Sequence, residues 1–246
     1  AGKVNNVYVE ANNEVFGAEV RPDSNVVVSE YQSAVLNEFI VANSKDTLNL
    51  SNIDYAETAS GDFSRDTRNS GIAMIFVSAN DTSFETYITV FDPLEKQKTP
   101  ICIKLSEVSY NSQQNIEDFS SMVNIAVGNY LPGSENKQDI SPDEVIVNYP
   151  VQSYGKTSMI TAVYSLTGDD WQDISKWAVN KSVSTEIGGK HMFLTVGDVN
   201  EDGFDDVVTI TSYGIAKLTL DKKIGKSSNT LVNVWYGGSN AKTASI

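Results

Sequence analysis

Residues 197–206 read GDVNEDGFDD, and this stretch is the most informative part of the chain. Five carboxylates fall within nine residues, and no Lys or Arg lies among them. Like charges at this density repel one another, and a hard divalent cation that prefers oxygen ligands removes the repulsion. The stretch therefore predicts a calcium-binding loop.

The spacing of the oxygen-bearing side chains fits Ca²⁺. They occupy loop positions 1, 3, 5 and 9, and Gly203 lies at the sharp bend. The predicted ligands are Asp198, Asn200, Asp202, the Phe204 carbonyl and Asp206.

The segments on both sides of the loop predict strands. Residues 192–196 and the β-branched run 207–211 favour extended structure over helix. An EF-hand or dockerin loop would need an acid at position 12 followed by an amphipathic helix, and position 12 is Thr209. The loop is therefore expected to join two strands.

A related pattern occurs three times. Gly-Asp or Gly-Asn dipeptides begin at residues 61, 128 and 197, so the intervals are 67 and 69 residues. Each dipeptide is followed by a polar loop, an apolar strand and a further strand. The further strands are expected at Tyr87–Phe91, Ile160–Tyr164 and Leu231–Tyr236. Self-similarity at a fixed period is typical of repeat architectures.

A calcium loop between two strands, closed by an acid at position 9, resembles the FG-GAP/VCBS repeat of integrin α-chain-type β-propellers. The resemblance covers roughly residues 55–240, and the third copy matches the family motif best. It implies an all-β fold, with propeller-type blades of antiparallel strands and calcium-binding loops between strands.

The expected organisation is one domain, residues 1–246, that forms a partial or small propeller. A partial blade spans about 1–45, and blades span about 46–110, 111–180 and 181–246. A closed ring typically needs 4–8 blades. The alternatives are a fragment of a larger propeller, a four-blade ring closed by strand exchange, or a pair of copies.

The first two loops depart from the motif. The first keeps Asp62, Ser64 and Asp66 at positions 1, 3 and 5 but has Ser70 at position 9, so a weaker second cation site is predicted there. The second has Asn129 at position 1 and then an insertion that runs to Asp143, for which a structural turn is expected.

Smaller elements are also predicted. Strands are expected near the N-terminus, and apolar spacing near three indicates short helices over 113–122 and 171–178. The N-terminal strands are expected at Asn6–Glu10, Val15–Val20, Val26–Glu30 and Phe39–Ala42.

Composition excludes several classes of protein. The 32 acidic and 18 basic residues give a net charge of −14, which disfavours nucleic-acid binding. No stretch approaches the roughly 18 apolar residues of a membrane-spanning helix. The single cysteine, Cys102, lies among apolar strand residues and is expected to be a buried hydrophobe.

The chain lacks residues that the common catalytic motifs require. The chain has one histidine, His191, and contains no Gly-x-Ser-x-Gly motif and no phosphate-binding glycine loop. No catalytic residue is assigned. Trp171 and Trp177 are weighed as sugar-stacking or core residues, and the core is favoured.

The sequence favours a non-catalytic, calcium-stabilised extracellular module for binding or adhesion, with Ca²⁺ as its only cofactor. Its partner would be a protein or glycan ligand, the rest of a larger propeller, or a second copy. Secretion or display on the cell surface is expected because loops of this kind suit millimolar calcium. The alternative is an accessory or propeller part of a secreted hydrolase or toxin that binds carbohydrate.

Overall fold

A computed structural model describes residues 5–11, 14–20, 31–32, 38–63, 71–91, 99–109, 116–131, 142–153, 156–166, 177–186, 191–213, 229–238 and 243–245. Most of these residues lie in β-strands, and almost all strand pairs are antiparallel. Within these ranges, no helix has the length and apolar character needed to cross a lipid bilayer.

The N-terminal sheet contains β1 (Asn5–Ala11), β2 (Glu14–Val20) and β3 (Tyr31–Gln32) in that order. Strands β1 and β2 form a hairpin in which Ala11 pairs with Glu14.

The first large sheet, called the first sheet here, has six strands. Four of them form a meander: β6 (Tyr55–Gly61), β7 (Gly71–Ala79), β8 (Ser83–Phe91) and β9 (Ile101–Ser109). The other two, β4 (Glu38–Val41) and β5 (Thr47–Asn49), extend the sheet beyond β9, and β4 runs parallel to β9. A 3₁₀ turn (Leu50–Asn52) then leads towards β6.

The second and third sheets repeat the four-stranded meander. The second sheet follows the short helix α1 (Ile116–Ser120) and contains β10 (Asn124–Gly128), β11 (Glu144–Ser153), β12 (Lys156–Leu166) and β13 (Trp177–Glu186). The third sheet contains β14 (His191–Gly197), β15 (Asp206–Tyr213), β16 (Asn229–Trp235) and β17 (Thr243–Ser245).

The three large sheets are stacked in chain order. Strand β10 contacts both β6 and β14, so the opening strands of the three meanders are neighbours in space, and β11 also contacts β9. Each large sheet therefore packs on the next one along the chain.

Apolar side chains fill the spaces between the sheets. A buried cluster between the first and second sheets includes Phe63, Ile75, Val147 and Trp177. Between the second and third sheets, Tyr130, Ile146, Val207 and Trp235 are buried together. Burial of apolar surface is the main favourable term in the stability of such a stack.

The first sheet is also covered on its other face. Strand β7 is buried along nearly its whole length, and its alternate residues enter two different clusters. The second of these clusters includes Ile72, Met74 and Phe76 together with Phe39 from β4. Strand β4 thus contributes to a second core on the face of the first sheet away from the second sheet.

The all-β prediction with antiparallel strands is confirmed. The predicted strands at 6–10, 15–20 and 39–42 correspond to β1, β2 and β4, whereas Val26–Glu30 lies outside the described residues. The predicted helix at 113–122 is represented by the five residues of α1.

Two expectations differ from the structure. The helix predicted over 171–178 is wrong at its end, because Trp177 begins β13 and residues 171–176 lie outside the described ranges. The boundary drawn between residues 180 and 181 divides β13, which belongs to the second sheet up to Glu186. Asn180-Lys181-Ser182 is a polar run of the kind that often marks a turn, but in the structure it continues the strand.

Candidate functional site

The acidic loop lies between β14 and β15, as its sequence predicted. Strand β14 ends at Gly197, which pairs with Asp206 at the start of β15, so residues 198–205 form the connection. Its residues Asp198 to Gly203 are exposed, whereas Asp206 is fully buried.

Asp198 organises the first half of the loop. Its Oδ1 accepts the N–H of Asp202 at 3.0 Å, and its Oδ2 accepts the N–H of Gly203 at 2.9 Å. Gly203 has a φ of 89°, in the left-handed region that glycine adopts without steric cost. Glu201 has a φ of 61°, so the chain reverses sharply at this point.

Asn200 and Asp202 lie on the same side of this bend. The Asn200 Oδ1 accepts the N–H of Asp202 at 3.1 Å, and its Nδ2 donates to Asp202 Oδ2 at 3.0 Å. The other oxygen of Asp202 accepts the N–H of Phe204 at 3.0 Å. The side chains at positions 1, 3 and 5 are thus neighbours within one turn.

The Asp206 carboxylate connects the end of the loop to its beginning. Its Oδ2 accepts the N–H groups of Val199 at 2.9 Å and Asn200 at 3.3 Å, and its Oδ1 accepts the N–H of Gly237 at 2.9 Å. A buried carboxylate requires such partners, because an unpaired charge in the interior is costly. Asp206 therefore joins both ends of the loop to the segment that follows β16.

The donor chemistry of the loop fits a hard cation. Three carboxylates and one amide oxygen lie at positions 1, 3, 5 and 9, which is the ligand type that Ca²⁺ takes. In the structure these oxygens accept backbone N–H groups. Among the described side chains, no three acidic, His or Cys groups are arranged as a metal site.

Of the three residues of the predicted weaker cation site, the structure describes only Asp62. Asp62 follows β6, whereas Ser64 and Asp66 lie outside the described residues. The backbone of Asp62 takes part in a contact with the next sheet: its N–H donates to Asp143 Oδ2 at 2.8 Å, and its carbonyl accepts the N–H of Asp143 at 2.7 Å.

The same reciprocal contact occurs at the next junction. The N–H of Asn129 donates to Asp205 Oδ2 at 2.9 Å, and the Asn129 carbonyl accepts the N–H of Asp205 at 2.8 Å. In both cases, an aspartate just before the second strand of one sheet binds the residue just after the first strand of the preceding sheet. We call this contact the aspartate clasp.

Glycines allow the clasps to form. A Cβ on Gly61 would lie 2.3 Å from Val127 Cγ1, and a Cβ on Gly128 would lie 2.6 Å from Asp205 Oδ2. Both distances are shorter than packed atoms tolerate. Gly61 and Gly128 thus leave room for the approach of the next sheet, whereas no heavy atom of the described residues lies within 4 Å of a Cβ built on Gly197.

The residue after each clasp aspartate supports its own loop. Glu144 pairs with Gly128 in the second sheet as Asp206 pairs with Gly197 in the third. Glu144 Oε2 accepts the N–H groups of Tyr130 at 2.8 Å and Leu131 at 3.0 Å. Burial is the main cause that raises the pKa of Glu144 to about 7, and the two N–H contacts oppose this shift.

The end of the acidic loop is enclosed on two sides. The N–H of Gly238 donates to the Tyr130 carbonyl at 2.8 Å, and a Cβ on Gly237 would lie 2.3 Å from the Asp205 carbonyl oxygen. A Cβ on Gly238 would lie 2.9 Å from the ring of Phe204. Residues 204–206 are therefore held between the second sheet and residues 237–238.

The clasp residues do not emerge from the sequence as functional groups. The segment that ends at Asp143 predicts a structural turn, and no partner is predicted for Asp205 or Glu144. A signal for these residues is present in the sequence. In the second and third sheets, two consecutive acids stand where the second strand begins: Asp143-Glu144 and Asp205-Asp206.

Cys102, His191 and Trp177 lie in three different strands. Cys102 is buried, as predicted, and burial raises the pKa of its thiol to about 12. His191 begins β14. Trp177 is buried at the first junction, with its ring centroid 5.8 Å from that of Phe63, so it is a core residue. Trp171 lies outside the described residues.

Comparison with models of protein families, with curated proteins and with solved structures finds no match to this chain.

Proposed function

We propose that residues 198–206 bind one Ca²⁺ ion and that the chain is a calcium-stabilised, non-catalytic module for extracellular binding or adhesion. The observation that carries the proposal is the grouping of Asp198, Asn200, Asp202 and Asp206 around one turn with no basic side chain in the loop. In the proposed site the Phe204 carbonyl supplies a backbone ligand.

The stack of four-stranded meanders supports a propeller-type architecture of the FG-GAP/VCBS kind. Successive blades of a propeller are antiparallel sheets packed face to face, with their opening strands adjacent. The contacts of β10 with β6 and β14 have this character. The first loop would be the weaker cation site, with Asp62, Ser64 and Asp66 as its ligands.

The calcium in this proposal is structural. It would offset the repulsion among the carboxylates of an exposed loop and fix the connection between β14 and β15. Affinity in the range of extracellular modules would keep the site filled outside the cell, where calcium is abundant.

The direct test is thermal unfolding with and without calcium. An ion that binds only the folded chain stabilises it by mass action, by about 2.7 kcal/mol at a hundred times Kd. We expect Asp198→Asn and Asp202→Asn to abolish most of the calcium-dependent rise in Tm. Glu201→Gln, which removes a charge from the same loop but no proposed ligand, should retain it.

Two outcomes would count against the proposal. A parent protein whose Tm is the same in EGTA and in millimolar calcium would rule out the metal site. Turnover of polysaccharide or ester substrates by the purified chain in the presence of a chelator would rule out the non-catalytic role.

A further inference from the structure

The second sheet carries a row of polar side chains on the face that it turns to the third sheet. Asn124 on β10 pairs with Asn148 on β11, and Asn148 pairs with Thr161 on β12. Asn148 lies two residues after Ile146, so the two share a face, and Ile146 is buried together with residues of the third sheet. Asn148 itself is fully buried. An amide side chain therefore lies inside the contact between the two sheets.

Thr209 faces this row from the third sheet. It lies two residues after Val207 on β15, and Val207 belongs to the same buried cluster as Ile146. Strands β11 and β15 both begin beside the aspartate clasp and run away from it. A step of two residues along each strand therefore leads from this apolar cluster to Asn148 on one sheet and Thr209 on the other. The Thr209 side chain is also fully buried.

Three polar atoms of this group are buried without a partner. Among the residues that the structure describes, no hydrogen bond is made by Asn124 Oδ1, Asn148 Nδ2 or Thr209 Oγ1. The other atom of each amide is engaged: Asn124 Nδ2 donates to the Val123 carbonyl at 2.8 Å, and Asn148 Oδ1 accepts from Thr161 Oγ1 at 2.7 Å. Buried polar atoms rarely stay unpaired in folded proteins, because the loss of their hydration is then not offset.

Asn148 occupies a position that is apolar in the other two large sheets. It lies four residues after the residue that pairs with the terminal glycine of the first strand. The equivalent residues are Ile75 in the first sheet and Ile210 in the third. This position thus accepts an aliphatic side chain in the same architecture, and an amide there needs a polar neighbour for each of its atoms.

The unpaired atoms identify the ligand that fits between them. Asn124 Oδ1 needs a donor, Asn148 Nδ2 needs an acceptor, and the Thr209 hydroxyl can act as either. A cation would satisfy only the acceptors, and an anion would satisfy only the donors. Water both donates and accepts, and a buried water typically makes about three hydrogen bonds to groups that are otherwise unpaired.

We propose that one water molecule is bound between the second and third sheets, where it accepts from Asn148 Nδ2, donates to Asn124 Oδ1 and bonds to Thr209 Oγ1. This water joins side chains of the two sheets at a second place, several residues from the clasp that joins their backbones. None of its three partners belongs to the acidic loop, so its binding does not depend on calcium.

Magnetic relaxation dispersion of solvent oxygen-17 tests the proposal, because its amplitude counts the water molecules that stay bound for longer than the protein takes to tumble. The measurement is made in EGTA, so that water on a bound ion does not contribute. Asn148→Leu keeps the approximate shape of the side chain but removes the donor, and it should lower the amplitude by the equivalent of about one water. Thr195→Val, which removes an exposed hydroxyl from β14, should leave the amplitude unchanged.

Thermal unfolding of Thr209→Val gives a second test, in which the sign of the change is informative. A buried hydroxyl that bonds to nothing is better replaced by a methyl group, so the Tm would then stay the same or rise. If the hydroxyl bonds to the water, its removal leaves the water one partner short, and the Tm should fall by about 2–4 °C. Thr195→Val is again the control, and its Tm should match that of the parent.

Three results would overturn the proposal. The first is a parent protein without a dispersion amplitude, which needs no variant to be folded. The second is an amplitude that Asn148→Leu leaves unchanged, and the third is a Thr209→Val variant at least as stable as the parent.

Discussion

The pKa of the Glu144 carboxyl is raised, and its surroundings explain the shift. It is buried at the start of β11 and accepts two backbone N–H groups, while Asp143 lies next to it in the chain. Burial favours the neutral carboxyl, the N–H contacts favour the carboxylate, and burial is the larger effect.

This balance predicts a pH dependence of stability. Because the pKa of Glu144 is raised to about 7 in the folded chain, from an unfolded value of 4.5, the folded state holds the proton more tightly. The stabilisation is complete below the unfolded pKa and is lost as the pH rises through about 7. We expect the Glu144 contribution to the free energy of unfolding to fall by about 2–3 kcal/mol between pH 5 and pH 8.

Glu144→Gln isolates this contribution. The amide oxygen can still accept the N–H groups of Tyr130 and Leu131, but the side chain no longer titrates. Urea unfolding at pH 5 and pH 8 should therefore show a smaller loss of stability in the variant than in the parent. An equal loss in both proteins would mean that Glu144 is ionised in the folded chain at both pH values.

At the scale of elements, the glycines near the junctions differ in what surrounds them. A Cβ on Gly237 would lie 2.3 Å from the backbone carbonyl oxygen of Asp205 and 2.8 Å from that of Tyr130, whereas a Cβ on Gly197 would meet open space. Backbone atoms cannot move aside as the end of a flexible side chain can. The two glycines therefore offer a matched pair of substitutions.

We expect Gly237→Ala to lower the free energy of unfolding by about 1–3 kcal/mol, because the added methyl would overlap the backbone oxygens of Asp205 and Tyr130. Gly197→Ala should be neutral or stabilising by up to about 1 kcal/mol, since alanine restricts the unfolded chain more than glycine does. Chemical denaturation of both variants measures the contrast. Equal effects would show that Gly237 does not lie at a tight contact.

Much of the element structure could be predicted from the sequence. The β-branched run after the acidic loop predicted β15, and the strand-like residues 192–196 predicted β14. These features are local, because side-chain shape and backbone preference act over a few residues. The predicted ligand positions 198, 200 and 202 lie within one turn and are joined by hydrogen bonds, and their binding of an ion stays a prediction.

Other features depend on residues that are distant in sequence. The partner of Asp205 is Asn129, 76 residues earlier, and the pairing of β4 with β9 spans a similar gap. Neither pairing leaves a trace in local periodicity. Short polar segments also mislead, as at Trp177, where spacing near three indicated a helix but the residue begins a strand and packs in the core between the first and second sheets.

At the scale of the whole molecule, the main contacts among the three large sheets run between successive sheets. In such an arrangement, stability is close to a sum of sheet and junction contributions. A change at one junction should therefore destabilise the chain through that junction alone. Phe63, fully buried between the first and second sheets, is suited to test this behaviour.

We expect Phe63→Ala to cost about 3–5 kcal/mol in the free energy of unfolding, the range observed for buried aromatic residues. Phe193→Ala, which removes the same group from an exposed position, should cost little. Urea unfolding followed by tryptophan fluorescence would compare them, since Trp177 and Trp235 are buried at different junctions. A comparable loss in both variants would contradict the packing at Phe63.

The aspartate clasps have a practical consequence for protein engineering. Fifteen residues separate Gly128 from Glu144, but only eight separate Gly197 from Asp206, and the attachment to the preceding sheet is the same in both sheets. Because the anchoring aspartate sits at the root of the connection, the connection can change length without moving the framework. We therefore expect peptides inserted between residues 131 and 142 to leave the stability of the three-sheet framework unchanged.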